Sequence, residues 1–203
     1  MARNMQPIVK HCRALGISPA VMGYTDKSKL SSDKRNPNAK KRTKKSEYAL
    51  QMNEKQKVKF IYGIQEKQFR AYYEKAEKAP GITGEVLLTT IERRLDNVIY
   101  RLGLAKTRRE ARELVSHGHY TVNGSMVNIP SFLVKPGMVI GVKESSRSIE
   151  RIKGFMEEDA FRGLPKWLTY DAKKGEGTVV AMPARDDIDY EVAEHMIVEL
   201  YSK

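Results

Sequence analysis

Residues 105–127, "AKTRREARELVSHGHYTVNGSMV", change structural type in the middle. Thr107 followed three residues on by Glu110 is a capping box, which predicts a helix starting at Arg108. Ala111, Leu114 and Val115 fall on one helical face. Gly118 suits the left-handed position just beyond a helix end. The next residues read as a hairpin. Tyr120, Thr121 and Val122 alternate as a half-buried strand should. Asn123-Gly124 favours a type I′ turn, which needs φ > 0 at both central residues. Arg108, Arg109 and Arg112 fall off the apolar stripe, so the pattern predicts a solvent-facing basic surface over a small helix–hairpin core.

Outward from this unit, "TGEVLLTTIERRLDNVIYRLG" (83–103) carries Leu87, Leu88, Ile91, Leu95, Val98 and Leu102 at helical spacing and reads as one helix. Ser46 caps a helix over "EYALQMNEKQKVKFIYG", which Gly63 interrupts. "IQEKQFRAYYEKAEKA" predicts another helix, ended by Pro80-Gly81. After the hairpin, Pro136-Gly137 marks a turn and residues 138–142 a strand. Residues 155–203 read as a short helix, a loop bearing Trp167, and short strands at "TVVAM" and "MIVEL". The fold class is therefore α+β. Residues 1–45 are a basic extension, 46–92 a helical domain, 93–153 a small inserted helix–helix–β-hairpin module, and 154–203 a C-terminal segment that returns to the helical part.

Charge narrows the function. The chain has 203 residues and a net charge of +12. Residues 1–45 hold 12 Lys and Arg against 2 acids, a net +10. Residues 46–154 are net +7, and residues 155–203 net −5. Such a balance points to an anionic partner. The stretch "SSDKRNPNAKKRTKK" (31–45) has almost no apolar surface to offset its ordering entropy, which predicts ordering by a partner. Cys12 is the single cysteine, so no internal disulfide forms and a reducing compartment fits. No apolar run reaches the ~20 residues of a membrane span, so no membrane partner is expected.

The candidate RNA contacts are the basic side chains of the module and of the segments before it. In the module they are Arg93, Arg94, Arg101, Lys106, Arg108, Arg109 and Arg112, with His117 and His119 where helix meets hairpin. Before it they are Lys40, Lys41, Arg42, Lys44 and Lys45 in the extension and Lys55, Lys57, Lys59, Lys67 and Arg70 on the helices. Lysine and arginine on a rigid frame bind phosphate, and small α+β modules read irregular RNA by shape and phosphate contacts. His11-Cys12 is a lone adjacent pair, whereas a structural zinc site needs four ligands at defined spacing. No metal and no cofactor is expected. There is no Gly-rich phosphate loop and no G-x-S-x-G, so no catalytic residue is assigned.

The stretch "ERRLDNVIYRLGLAKTRREARELVSHGHYTVNGSMVNIPSFLVKPGMVIGV" (92–142) resembles the RNA-binding module named after the fourth protein of the small ribosomal subunit. "SEYALQMNEKQKVKFIYGIQEKQFRAYYEKA" before it, "WLTYD" after it and "EHMIVELYSK" at the end extend the likeness over 46–203 to the bacterial-type family. The resemblance implies a non-enzymatic cytoplasmic ribosomal protein that binds small-subunit rRNA early in assembly, at a multi-helix junction near the 5′ domain. It further implies the fifth small-subunit protein as neighbour, a place on the mRNA entry side, a part in translational accuracy, and in some members repression of their own operon. Zinc-bearing members carry an N-terminal cysteine cluster; here Cys12 stands alone, which implies a zinc-less variant. Where many members carry a "PGQHG"-like stretch, this chain has "NPNAKKRTKK". The module also occurs on RNA-modifying enzymes. Those need a catalytic domain of about 100 residues or more, and residues 155–203 are too few.

Overall fold

The computed structural model describes residues 7–24, 46–157, 163–171 and 174–202. Helix α1 (Ile8–Leu15) ends at Gly16, whose φ of 70° no β-carbon opposes, and a 3-10 turn follows at Pro19–Met22. The composition of the basic extension gives no sign of this helix. It forms because Cys12 and Met22 are taken into the core of the helices that follow. Lys40, Lys41, Arg42, Lys44 and Lys45 lie outside the described residues.

The Ser46 hydroxyl accepts the Ala49 N–H and opens α2 (Glu47–Tyr62), which Gly63 closes at φ 63°. Helices α3 (Glu66–Glu77) and α4 (Thr83–Glu92) pack with it around Val58, Ile61, Phe69, Leu87, Leu88 and Ile91. The helix read over 83–103 is in fact two. The backbone at Arg94 is extended, and α5 (Leu95–Arg101) starts afresh. The loop before the third strand breaks it. Phe132 O accepts the Leu95 N–H at 2.8 Å, Pro130 O accepts the Asp96 N–H at 3.2 Å, and Val134 N–H donates to Arg93 O at 2.9 Å. The apolar pattern runs on through the break, so spacing alone does not reveal it.

Helix α6 (Arg108–Ser116) and strands β1 (Tyr120–Val122) and β2 (Ser125–Met126) form the helix–hairpin unit. Asn123 and Gly124 have φ of 50° and 79°, as a type I′ turn requires, and Val122 pairs with Ser125. Strand β3 (Val139–Val142), helix α7 (Glu150–Glu157), strands β4 (Leu168–Asp171) and β5 (Glu176–Val179) and helix α8 (Glu194–Ser202) complete the described chain. The antiparallel sheet runs β2-β1-β3-β5-β4.

Two apolar cores result. One lies under the sheet and gathers Leu95, Ile99, Leu104, Val115, Tyr120, Ile140 and Trp167. The other lies among α1–α4 and receives Ile188, Val192 and Ile197 from the C-terminal end. The C-terminal segment thus lends β4 and β5 to the module sheet before returning to the helices. "MIVEL" is not a strand but part of α8. A five-residue apolar run does not discriminate helix from strand. Packing against α2 and α4 decides it, and α8 comes so close to α4 that a β-carbon on Gly84 would lie 2.8 Å from Glu194 Cγ.

Candidate nucleic-acid interface

Helix α6 forms half of the capping box its sequence predicts, because Glu110 reaches back to the N–H before Thr107 rather than to that of Thr107 itself. Thr107 Oγ1 accepts the Glu110 N–H at 3.2 Å, and Glu110 Oε2 accepts the Lys106 N–H at 2.9 Å. The hairpin is anchored by Asn123 Oδ1, which accepts the Val139 N–H at 2.8 Å.

The arginines divide sharply. Three that the sequence places on a basic surface are internal: Arg94 is 0%, Arg108 6% and Arg101 8% exposed. Arg94 donates from Nε and Nη2 to both Asp96 oxygens, at 3.0 and 2.6 Å, and from Nη1 to Tyr72 OH at 2.9 Å. Arg101 pairs with Glu92 at 2.7 Å and with Asp189 at 2.8 Å. Burial opposes the charge on both guanidiniums, but the facing carboxylates outweigh it and raise both pKa values above the usual arginine value. Arg108 donates to Asn97 Oδ1 at 2.8 Å and to Val21 O at 2.9 Å. Its guanidinium lies 4.3 Å from the Tyr100 ring centre and 5.1 Å from that of Tyr62. The cause is position. The apolar stripe describes α6 as a lone helix, whereas the α2 end and residues 19–23 cover its first turn. Gly23 sits there because a β-carbon would lie 2.3 Å from Lys106 O. These three arginines join the module to the helical domain, and their donors are largely spent on that.

Arg112 is half-buried, donates to Gly63 O at 3.2 Å and stands 3.7 Å from Asp96. Arg93 is half-buried and donates to Val134 O at 2.9 Å; burial lowers its pKa. Arg109 is half-buried and engaged within the chain. Lys106 is exposed, with its ammonium 5.9 Å from the Phe155 ring centre.

On the helices, Lys55 is buried and pairs with Glu66 at 2.9 Å; Lys59 also pairs with Glu66, and Lys57 with Glu54. Burial pushes the Glu66 carboxyl up, but bonds from Lys59, Tyr201 and Lys55 override it and bring it down to about 2. Lys67 and Arg70 are exposed, and Arg70 makes an open pair with Glu74 at 3.2 Å.

His117 is exposed and His119 half-buried, their ring centres 6.1 Å apart. His119 Nδ1 lies 3.0 Å from Ser146 Oγ. Sequence reading missed Lys143 and Ser146 beside His119, and Arg147 next to them in the chain. Only the pairing of β1 with β3 brings them there, and no local spacing signals it. The Cys12 thiol is buried, which raises its pKa. Among the described residues no three His, Cys, Asp or Glu side chains group as a metal site. Among them too, no helix is long and apolar enough to cross a membrane.

Residues 3–92 match the family described as the ribosomal protein S4/S9 N-terminal domain, and residues 93–140 the S4 domain. The small ribosomal subunit protein uS4 of Pelotomaculum thermopropionicum is 53% identical over 208 aligned positions, covering all of both chains. That of Agathobacter rectalis is 51% identical over 203, and that of Halothermothrix orenii 52% over 208, again end to end.

Proposed function

The chain belongs to the bacterial-type small ribosomal subunit protein uS4 family, and on that premise we propose that it grips small-subunit rRNA with the exposed basic side chains around α6. It is a structural constituent of the ribosome, an rRNA-binding protein of the small subunit and not an enzyme. The observation that carries the proposal is the split among the cations. Lys106, His117, Lys67 and Arg70 face solvent, whereas Arg94, Arg101 and Arg108 are locked inside. A phosphate contact needs a donor that reaches solvent, so the outer set, with the half-buried Arg93, Arg109 and Arg112 at its edge, is the RNA-facing one. The buried set holds the frame that positions it. The charge of Lys40, Lys41, Arg42, Lys44 and Lys45 supports phosphate contacts from the extension as well.

Early binding that nucleates assembly, a place on the mRNA entry side, a part in accuracy and repression of its own operon follow as proposals from family membership. The acidic C-terminal end, with Asp186 and Asp189 exposed, suits a basic protein neighbour, proposed as the fifth small-subunit protein. The test is binding to a 5′-domain rRNA transcript over a salt series. Lys106→Ala with Arg109→Ala should flatten the slope of log K against log salt by about 0.7–0.9 for each phosphate no longer neutralised. An unchanged slope with an intact circular dichroism spectrum removes α6 from the interface.

A further inference from the structure

His117, His119, Lys143 and Ser146 come together at the end of α6 remote from Lys106, and Arg147 follows Ser146 with its Nε donating to Val142 O at 3.4 Å. His117 ends the helix and is exposed; His119 leads into β1. Just past β3, the Lys143 N–H donates to His119 O at 2.9 Å, which fixes the two segments together. The 3-10 turn Glu144–Ser146 follows, closed by Ser146 N–H to Lys143 O at 2.8 Å and Arg147 N–H to Glu144 O at 3.1 Å. That turn buries Ser146, which is 4% exposed, and sets its Oγ 3.0 Å from His119 Nδ1. With Nδ1 engaged, Nε2 is the ring nitrogen left for a ligand. Lys143 and Arg147 are exposed, as is Glu144.

We propose that His117, His119, Lys143 and Arg147, with Ser146 holding the His119 ring, form a second phosphate-binding station for RNA that strengthens below neutral pH. The proposal rests on the RNA-binding reading above and adds a site and a pH response to it. Helix α6 has nine residues and spans about 13 Å, so its two ends meet different phosphates. A buried hydroxyl bonded to a half-buried imidazole fixes the ring orientation, which a solvated histidine does not need. Four cationic or protonatable groups, with the acids Glu144 and, one helical turn before His117, Glu113 beside them, repel one another in the free protein, and a phosphate relieves that repulsion.

The pH response has a definite sign. Burial first, then the charges of His117 and Lys143, lower the His119 pKa from its ordinary value and so disfavour the imidazolium in the free protein. A bound phosphate favours the imidazolium, so binding takes up a proton. Affinity therefore rises as pH falls through the bound-state pKa and levels off below the free-state one.

The experiment is anisotropy of the full chain with a labelled 5′-domain rRNA transcript, in a pH series at fixed salt. The native chain should tighten several-fold, at most about tenfold per pH unit for one linked proton, between neutral and mildly acidic pH. His119→Gln and Ser146→Ala should flatten that profile. Lys143→Ala should lower the salt slope by about 0.7–0.9. His117→Gln, at an exposed position outside the two apolar cores, serves as a variant whose fold is not at risk and should also weaken the pH response, because the His117 charge helps to lower the His119 pKa. A folded His119→Gln chain with the native pH profile overturns the station. So does a His117→Gln/His119→Gln chain that binds RNA normally but fails to enter small subunits, since that marks a protein contact. Failure of the station alone leaves Lys106→Ala weakened while the histidine variants keep the native pH profile. Failure of the RNA reading itself leaves every variant, Lys106→Ala included, binding as the native chain does.

Discussion

Asp189 reaches across 88 residues of sequence to grip Arg101 with both carboxylate oxygens, at 2.8 and 3.0 Å. The pair ties the C-terminal end to α5, at the joint between the two cores. Its members are not equivalent, because the Asp189 side chain is 58% exposed while that of Glu92, the other partner of Arg101, is 1% exposed. Asp189→Asn should cost about 1 kcal/mol, as for a partly solvated pair. Arg101→Met strands the Glu92 carboxylate and should cost about 3–5 kcal/mol. Urea unfolding followed by circular dichroism checks both, and equal losses would contradict the assignment of the buried partner.

Glu66 predicts an acid response. Its folded pKa, brought down to about 2, lies below the ordinary value of 4.5. A depressed carboxyl contributes stability that is present above pH 4.5 and is lost as pH falls towards 2. Because the Glu66 side chain is 47% exposed, screening limits that contribution to about 1 kcal/mol. Glu66→Gln should therefore lower the melting temperature at pH 6 and converge with the native chain near pH 2. A constant difference over that range would refute the linkage.

Gly124 is a folding device. Its φ is 79° and nothing lies within 4 Å of where a β-carbon would sit, so a substitution meets backbone strain and no clash. Gly124→Val should destabilise by about 1–2 kcal/mol. RNA affinity, measured on the folded fraction, should not change. Normal melting with weakened RNA binding would make the turn a contact instead.

Arg108 and Arg109 are neighbours in sequence with opposite expected phenotypes. Arg108→Ala removes bonds to Asn97 and Val21 and the packing between Tyr62 and Tyr100, and should cost about 2–4 kcal/mol of stability. Arg109→Ala, at a half-buried position on the edge of the exposed basic set, should act on the salt slope of RNA binding. Thermal melting and salt-dependent binding of the two variants separate the roles. A stable Arg108→Ala chain with a flattened slope would return Arg108 to the interface.

The sequence determined whatever local chemistry enforces. Thr107 and Glu110 cap the start of α6, Asn123-Gly124 forces the hairpin, and Ser46 and Gly63 bound α2, because each acts on backbone groups within a few residues. The resemblance carried by residues 92–142 supplied the family. Tertiary structure alone decided what depends on distant partners. Residues 128–134 split the helix read over 83–103 by supplying carbonyls to the first turn of α5, while the apolar pattern ran on unbroken. "MIVEL" became helical because its neighbours are α2 and α4. The basic cluster divided into frame and surface because Asp96, Glu92, Asp189 and the residues around Val21 close over Arg94, Arg101 and Arg108. A guanidinium takes its role from the acid or carbonyl it meets, and that partner stands up to 88 residues away. His119 met Ser146 in the same manner, across 27 residues and three strands, which no periodicity encodes.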